Sequence, residues 1–112
     1  MAKASVRTYS RYSQEAISLL SSLIRTARKE RGMTAQEVAD RAGISRGLLQ
    51  RIEKGDPKCE LGATIEVATI VGVKLFDADA TSLTQYIRQA EDKLALLPKS
   101  VRRKVKVADD DF

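Results

Sequence analysis

The sequence predicts an all-α protein, a compact five-helix domain between a flexible basic N-terminal arm and a charged C-terminal tail. Two observations predict it. Apolar residues recur at spacings of three and four, the period of a helix with one face on a core. Helix-opening residues such as Thr34 and Ser45 precede these faces, and Gly32, Gly43, Gly55 and Gly72 follow them, where helix stops belong. No internal repeat is visible.

Residues 1–12 read as the arm, carrying Tyr9 and Tyr12. It could track a groove, although termini are commonly disordered. Ser13 opens the first helix, which runs to about Arg31 with Ile17, Leu20, Ile24 and Ala27 inward. Thr34-Ala-Gln-Glu37 is a capping box, in which the Thr hydroxyl and the Glu carboxylate satisfy each other's backbone N–H. Val38, Ala39 and Ala42 face inward from the second helix. Gly43 ends it in the left-handed conformation that favours glycine. Ile44 plugs the turn, Ser45 caps a third helix, and Leu49 and Ile52 form that helix's inner face. Gly55 ends it, with Pro57 blocking continuation. After a loop at 56–61, a fourth helix spans roughly 62–71, with Thr64, Val67, Ala68 and Val71 inward and Gly72 as its stop.

Leu75 and Phe76 lead into a polar break at 77–81. Ser82-Leu-Thr-Gln85 reads as a second capping box and opens a helix to Leu97, ahead of Pro98. Leu83, Ile87, Ala90, Leu94 and Leu97 form a two-heptad seam. This stripe packs on the domain's own core, or has a dual role in which it also forms a dimer interface with Ile70, Val73 and Phe76. The expected divisions are therefore an arm at 1–12, a domain at 13–97 containing a helix-turn-helix at 34–55 and a C-terminal helix at 82–97, and a tail at 98–112. Within the tail, residues 104–107 alternate charged and apolar, a pattern that could add as a strand to something, and acidic residues 109–111 precede Phe112. The tail reads either as a disordered segment or as a peptide that folds on a partner.

The outer face of the third helix carries Arg46, Gly47, Gln50, Arg51 and Lys54, with no acid among them. Arg makes bidentate hydrogen bonds to the O6 and N7 edge of guanine, and Gln to N6 and N7 of adenine. The start and middle of a helix are where a recognition helix meets base edges. Gly47 departs from helix propensity, a helix-interior Gly costing about 1 kcal/mol relative to Ala. Either the backbone approaches DNA there or an exposed first-turn Gly is tolerated. An ordinary helical hairpin would share the apolar stripe and the turn glycine. The small Ala39 and Gly43 at the crossing and the basic outer face favour a DNA-reading pair instead.

Charge agrees. The chain has 20 Lys and Arg against 15 Asp and Glu, a net charge of +5, which alone also suits a merely basic soluble protein. The excess is uneven: residues 1–31 carry Lys3, Arg7, Arg11, Arg25, Arg28, Lys29 and Arg31 against Glu15 and Glu30. That side is expected to face a polyanion. There is no His, and the one cysteine, Cys59, cannot close an internal disulfide, which suits a reducing compartment. No metal-ligand spacing, phosphate-binding loop or nucleophile elbow is present, so no enzyme activity and no cofactor are expected. The apolar run at 16–24 is too short to span a membrane, and the first residues lack the apolar core of a secretory leader. The expected location is the bacterial cytoplasm, with the nucleoid when bound to DNA.

From Ile24-Arg-Thr-Ala-Arg-Lys-Glu-Arg-Gly32, through the helix-turn-helix and Ile52-Glu-Lys-Gly55, to Val71-Gly-Val73, the chain resembles the Xre/Cro-type helix-turn-helix of phage repressors and bacterial regulators. The resemblance covers roughly residues 17–75 and implies a lambda-repressor-like DNA-binding domain whose third helix enters the major groove. It implies base contacts from Arg46, Gly47, Gln50 and Arg51. It implies phosphate contacts from Ser45 and from Thr34, Ala35 and Gln36 at the second helix's start, to which the outward Lys54 is added. It also implies a structural ion pair between Arg28 and Glu53. The segment Arg51-Ile-Glu-Lys-Gly-Asp-Pro57, with Val71-Gly72-Val73 and the acidic tail, is similar to HipB-like antitoxins, dimeric repressors that bind HipA-type kinase toxins and autoregulate their operon. The expected function is thus a dimeric repressor occluding a promoter at a near-palindromic site on double-stranded DNA, as the antitoxin of a HipA-like kinase toxin. A prophage-type or general Xre-family regulator without a toxin is the alternative within that class. A protein-interaction module with vestigial DNA binding is the alternative outside it.

Overall fold

A computed structural model describes residues 8–101 of the chain. It contains five helices and, among the described residues, no strand: α1 (Arg11–Glu30), α2 (Ala35–Ala42), α3 (Arg46–Glu53), α4 (Leu61–Val71) and α5 (Ala80–Leu96). The alternating segment at 104–107 and the acidic end of the tail lie outside the described residues, as do residues 1–7 of the arm. The chain divides into two compact units, one ending at Phe76 and one beginning at Asp77.

The first unit holds α1–α4. Its core is Ile24 from α1, Val38 and Ala39 from α2, Leu49 and Ile52 from α3, and Val67, Ala68 and Val71 from α4. Leu20, Ala27, Met33, Ala42, Ile44, Leu48 and Ala63 pack around it. Each of these four helices therefore supplies one to three buried apolar side chains to one cluster, with its remaining faces outward. Ala39 and Ala68 are fully or almost fully buried, and their small side chains let neighbouring helices approach closely.

Hydrogen bonding at the helix ends sets the boundaries. Thr34 and Glu37 form the capping box: the Glu37 N–H donates to Thr34 Oγ1 at 3.1 Å and the Thr34 N–H to Glu37 Oε1 at 2.7 Å. Ser45 Oγ accepts from the Leu48 N–H at 3.0 Å and opens α3. Four helices close alike, each with a glycine of positive φ. The N–H just beyond it donates five residues back: Met33 to Arg28, Ile44 to Ala39, Asp56 to Arg51 and Val73 to Ala68. These Schellman-type closures satisfy last-turn carbonyls and turn the chain sharply.

Two helix starts differ from the sequence reading. α1 begins at Arg11, capped by Ser10, whose hydroxyl accepts from the Ser13 N–H at 3.2 Å. Arg11 and Tyr12, assigned by sequence to the arm, are helical. α5 begins at Ala80 and is capped by Asp79, whose carboxylate accepts from the Ser82 N–H at 2.8 Å. In both cases the residue read as the cap occupies the third helical position, and a cap three residues upstream adds a turn. Thr64, read as inward, is half-buried and donates its hydroxyl to the Glu60 carbonyl at 2.9 Å.

The second unit contains α5. None of its residues is buried. Tyr86, Ile87 and Leu94 are each more than half exposed, and Leu83 is 37% exposed. No helix among the described residues is long and apolar enough to cross a membrane.

Candidate nucleic-acid interface

α3 is short, and its eight residues divide sharply by face. Leu49 and Ile52 are buried, Leu48 is half-buried, and Arg46, Gly47, Gln50 and Arg51 are exposed, as is Lys54 at the C-cap. At about 100° per residue, those five exposed positions fall within an arc of roughly 140°. A helix that buries one side and offers the other can be pressed into a groove without disturbing the core. Among the described residues Arg46, Gln50 and Lys54 have no side-chain hydrogen-bond or ion-pair partner, so their donors are open to an external partner.

Arg51 is different. Its Nε donates to Asp56 Oδ2 at 2.9 Å. The Asp56 carboxylate holds the guanidinium proton more tightly than usual. Asp56 itself is held below the ordinary carboxylate range, first by the Lys58 backbone N–H donating to Oδ1 at 2.9 Å and then by Arg51. In the sequence Asp56 figures only in the loop and in the segment that resembles HipB-like proteins, and Lys58 only in the loop, so neither is assigned to the site. Lys58 lines an open hollow of about 540 Å³ with Ser45, Gly47, Leu48, Arg51, Cys59 and Glu60. A Cβ at Gly47 would meet only Ser45 Oγ at 3.9 Å, so the backbone there is open to approach. Cys59 is half-buried, and burial pushes its thiol up, with the Asp56 carboxylate adding to the effect. A neutral thiol is a poor nucleophile and a poor metal ligand.

Of the residues assigned to phosphates, Lys54 is at the C-cap of α3 and the others occupy two helix N-termini. Ser45 uses a lone pair to cap α3 and keeps its hydroxyl hydrogen for an external acceptor. At α2 the Thr34 N–H is taken by Glu37, whereas the N–H groups of Ala35 and Gln36 open the helix and have no intrahelical acceptor. The Gln36 amide donates to Asp40 Oδ1 at 2.9 Å.

Arg28 and Glu53 join α1 to the end of α3. Arg28 Nε donates to Glu53 Oε2 at 2.6 Å and Nη2 to Oε1 at 3.0 Å, while Nη1 donates to the Met33 carbonyl at 2.9 Å. These bonds to Glu53 raise the Arg28 pKa above its ordinary value, against the opposing effect of burial. With all three nitrogens engaged, Arg28 has a protein-internal role.

Of the residues assigned to a dimer interface, Ile70 and Val73 are half-buried against the core of the first unit and Phe76 is exposed at its end. Leu83, Ile87 and Leu94 lie along the exposed stripe of α5. Among the described residues there is no group of three or more His, Cys, Asp or Glu that could hold a metal ion.

Comparison with curated proteins and with solved structures found no match. The family model of a helix-turn-helix domain matches residues 19–80. That span runs from the middle of α1 to the first residue of α5 and covers more than half of the sequence, and the chain belongs to this helix-turn-helix family of DNA-binding regulators.

Proposed function

We propose that the protein is a sequence-specific transcriptional repressor that reads the major groove with α3. The observation that carries this reading is the division of α3. Leu49 and Ile52 anchor it in the core, while Arg46, Gly47, Gln50, Arg51 and Lys54 form an exposed face without an acid. Arg46, Arg51 and Gln50 supply side chains able to discriminate guanine and adenine edges. Ser45, the first turn of α2 and Lys54 supply phosphate contacts that set the register.

The repressor acts as a dimer on an inverted repeat. The exposed apolar stripe of α5 supports this, because such a stripe on a helix of 17 residues is stabilised by a partner. Two copies of α3 about 34 Å apart would read successive major grooves on one side of the duplex. Occlusion of a promoter follows from occupancy alone. The antitoxin role, with a HipA-like kinase toxin as partner, rests on the resemblance of residues 51–57 and 71–73 to HipB-like proteins.

The test is selection from a pool of random duplexes with the full chain, followed by titration of the enriched sequence at several salt concentrations. An enriched near-palindrome bound far more tightly than random DNA supports the reading. Equal affinity for enriched and random DNA overturns it in favour of a protein-interaction module. Purification with the products of neighbouring genes tests the antitoxin role by whether a kinase-sized protein accompanies the chain.

A further inference from the structure

Arg51 and Asp56 lie on opposite sides of the α3 terminus, five residues apart. In an uninterrupted helix that spacing does not bring side chains together. Here Gly55, at φ +81°, reverses the chain, and the Asp56 N–H donates to the Arg51 carbonyl at 3.0 Å. The backbone closure that ends the helix thus delivers the Asp56 carboxylate to the Arg51 guanidinium. Both carboxylate oxygens are then engaged, Oδ1 by the Lys58 N–H and Oδ2 by Arg51 Nε. Asp56 is therefore held at its backbone and at both ends of its carboxylate before it holds Arg51.

We propose that Asp56 is a positioning residue for base recognition, fixing Arg51 so that its two terminal amino groups read one G·C pair. The proposal rests on the reading of α3 as the base-contacting helix. A guanidinium has five N–H donors in a rigid plane. With Nε committed to Asp56, the fork left is the one formed by Nη1 and Nη2, and neither has a partner among the described residues. That fork matches the O6 and N7 acceptors of guanine in the major groove. The long Arg side chain is ordered before DNA arrives, so less freedom is lost on binding. Asp56 also carries a negative charge at the edge of a surface meant for phosphates. Pairing with Arg51 offsets that charge locally.

Two lesser roles give different results. If Asp56 only shapes the 56–59 loop, Asn would replace it without loss, since Asn keeps an acceptor for the Lys58 N–H. If Asp56 only repels phosphates, its removal would tighten binding to all DNA equally.

The experiment uses the full chain as wild type, Arg51→Ala, Asp56→Ala, Asp56→Asn and the Arg51→Ala/Asp56→Ala double variant. Each is put through selection from random 24-base-pair duplexes, then titrated against the wild-type selected duplex, its single-base substitutions and an unselected duplex. Arg51→Ala is expected to relax one G·C position. Asp56→Ala is expected to relax that same position roughly ten-fold while leaving the others intact, with affinity for the unselected duplex unchanged or higher. Asp56→Asn is expected to fall between wild type and Asp56→Ala at that position, and the double variant to match Arg51→Ala. The proposal is overturned if Asp56→Asn keeps the wild-type preference there, whether or not Asp56→Ala does, or if Asp56→Ala changes affinity for all duplexes by one factor. Relaxation at no position in Arg51→Ala overturns it as well, while leaving α3 as the reading helix through Arg46 and Gln50. A wild-type selection that enriches nothing overturns the underlying function and the proposal together.

Discussion

Arg28 holds Glu53 by two hydrogen bonds, of 2.6 and 3.0 Å, and spends its third nitrogen on the Met33 carbonyl. The pair is largely shielded, with side chains 12% and 9% exposed. It spans α1, the turn before α2 and the end of α3. A charged pair so enclosed is held by geometry, and its dependence on both partners is asymmetric: losing one leaves the other charge without compensation. Glu53→Ala is therefore expected to destabilise the protein by about 3 kcal/mol, and Arg28→Ala by a similar amount. Replacing both with apolar residues of similar volume, Arg28→Met with Glu53→Leu, is expected to recover most of that loss. Urea unfolding followed by circular dichroism measures all three. A double variant as unstable as the sum of the singles would show that the loss in each single variant does not come from the stranded partner charge.

Gly72 closes α4 at φ +87°, beneath the Arg31 side chain. A Cβ built there would collide with Arg31 Nη2 and lie 2.9 Å from its Cζ. Gly72→Ala should therefore carry two separable penalties. One is the left-handed backbone, about 1–2 kcal/mol for a residue with a Cβ. The other is displacement of Arg31, an exposed side chain with no hydrogen-bond partner among the described residues. Thermal unfolding of Gly72→Ala in the wild-type and Arg31→Ala backgrounds separates them. The loss in the Arg31→Ala background should be the smaller and should reflect the backbone alone. Identical losses in both would mean that Arg31 swings aside without cost.

Much of this was legible in the sequence because it is local. The Thr34–Glu37 box, the glycine stops and the inward faces of α2 and α3 depend on residues within one or two turns of each other. The starts of α1 and α5 were misread for one shared reason. Ser10 and Ser13, like Asp79 and Ser82, are both competent caps three residues apart, and the earlier one prevails because the helix gains a turn. Ser21 was illegible: it sits in an apolar run, yet it is buried and donates its hydroxyl to the Ile52 carbonyl 31 residues away at 2.8 Å. Asp56 was illegible because its partnership with Arg51 exists only after Gly55 reverses the chain. The Arg28–Glu53 tie came from resemblance, since no local pattern links positions 25 residues apart.

Arg46 and Gln50 lie one turn apart on the exposed face and have no side-chain partner among the described residues. Each is expected to act on its own base. Arg46→Ala should weaken binding to the selected duplex by about 1–3 kcal/mol and relax preference at one position. Gln50→Ala should relax a neighbouring one. Because neither touches the core, thermal stability should change little. Competition binding against single-base substitutions measures the effect. A uniform loss across all duplexes would reassign Arg46 to a phosphate.

Ile87 occupies the middle of the α5 stripe, with Leu83 one turn before it and Leu94 two turns after. If that stripe pairs two copies, Ile87→Asp places two carboxylates in the apolar seam. The expected result is a shift from dimer to monomer in sedimentation equilibrium, with α1–α4 still folded. Affinity for the inverted repeat should fall while affinity for a single half-site stays the same, because only the linkage between half-sites is lost. A wild-type chain that sediments as a monomer at high concentration would remove α5 from the dimer reading.

The Asp56 carboxyl is held below the usual carboxylate range by two donors, the Lys58 backbone N–H first and Arg51 second. Because the folded-state value is the lower one, the interaction stabilises the protein above the unfolded-state pKa. That contribution fades as pH falls through the folded value. Binding near neutral pH should thus be insensitive to Asp56 titration. In a carbon-detected NMR titration the Asp56 carboxyl should show a midpoint below that of an ordinary exposed Asp. In Arg51→Ala the midpoint should rise only part of the way back, because the Lys58 N–H remains. A full return to the ordinary value would make Arg51 the dominant donor and the loop a consequence of the ion pair. No change at all would mean that the side-chain contact is not populated in solution, and Asp56 would then have no hold on Arg51.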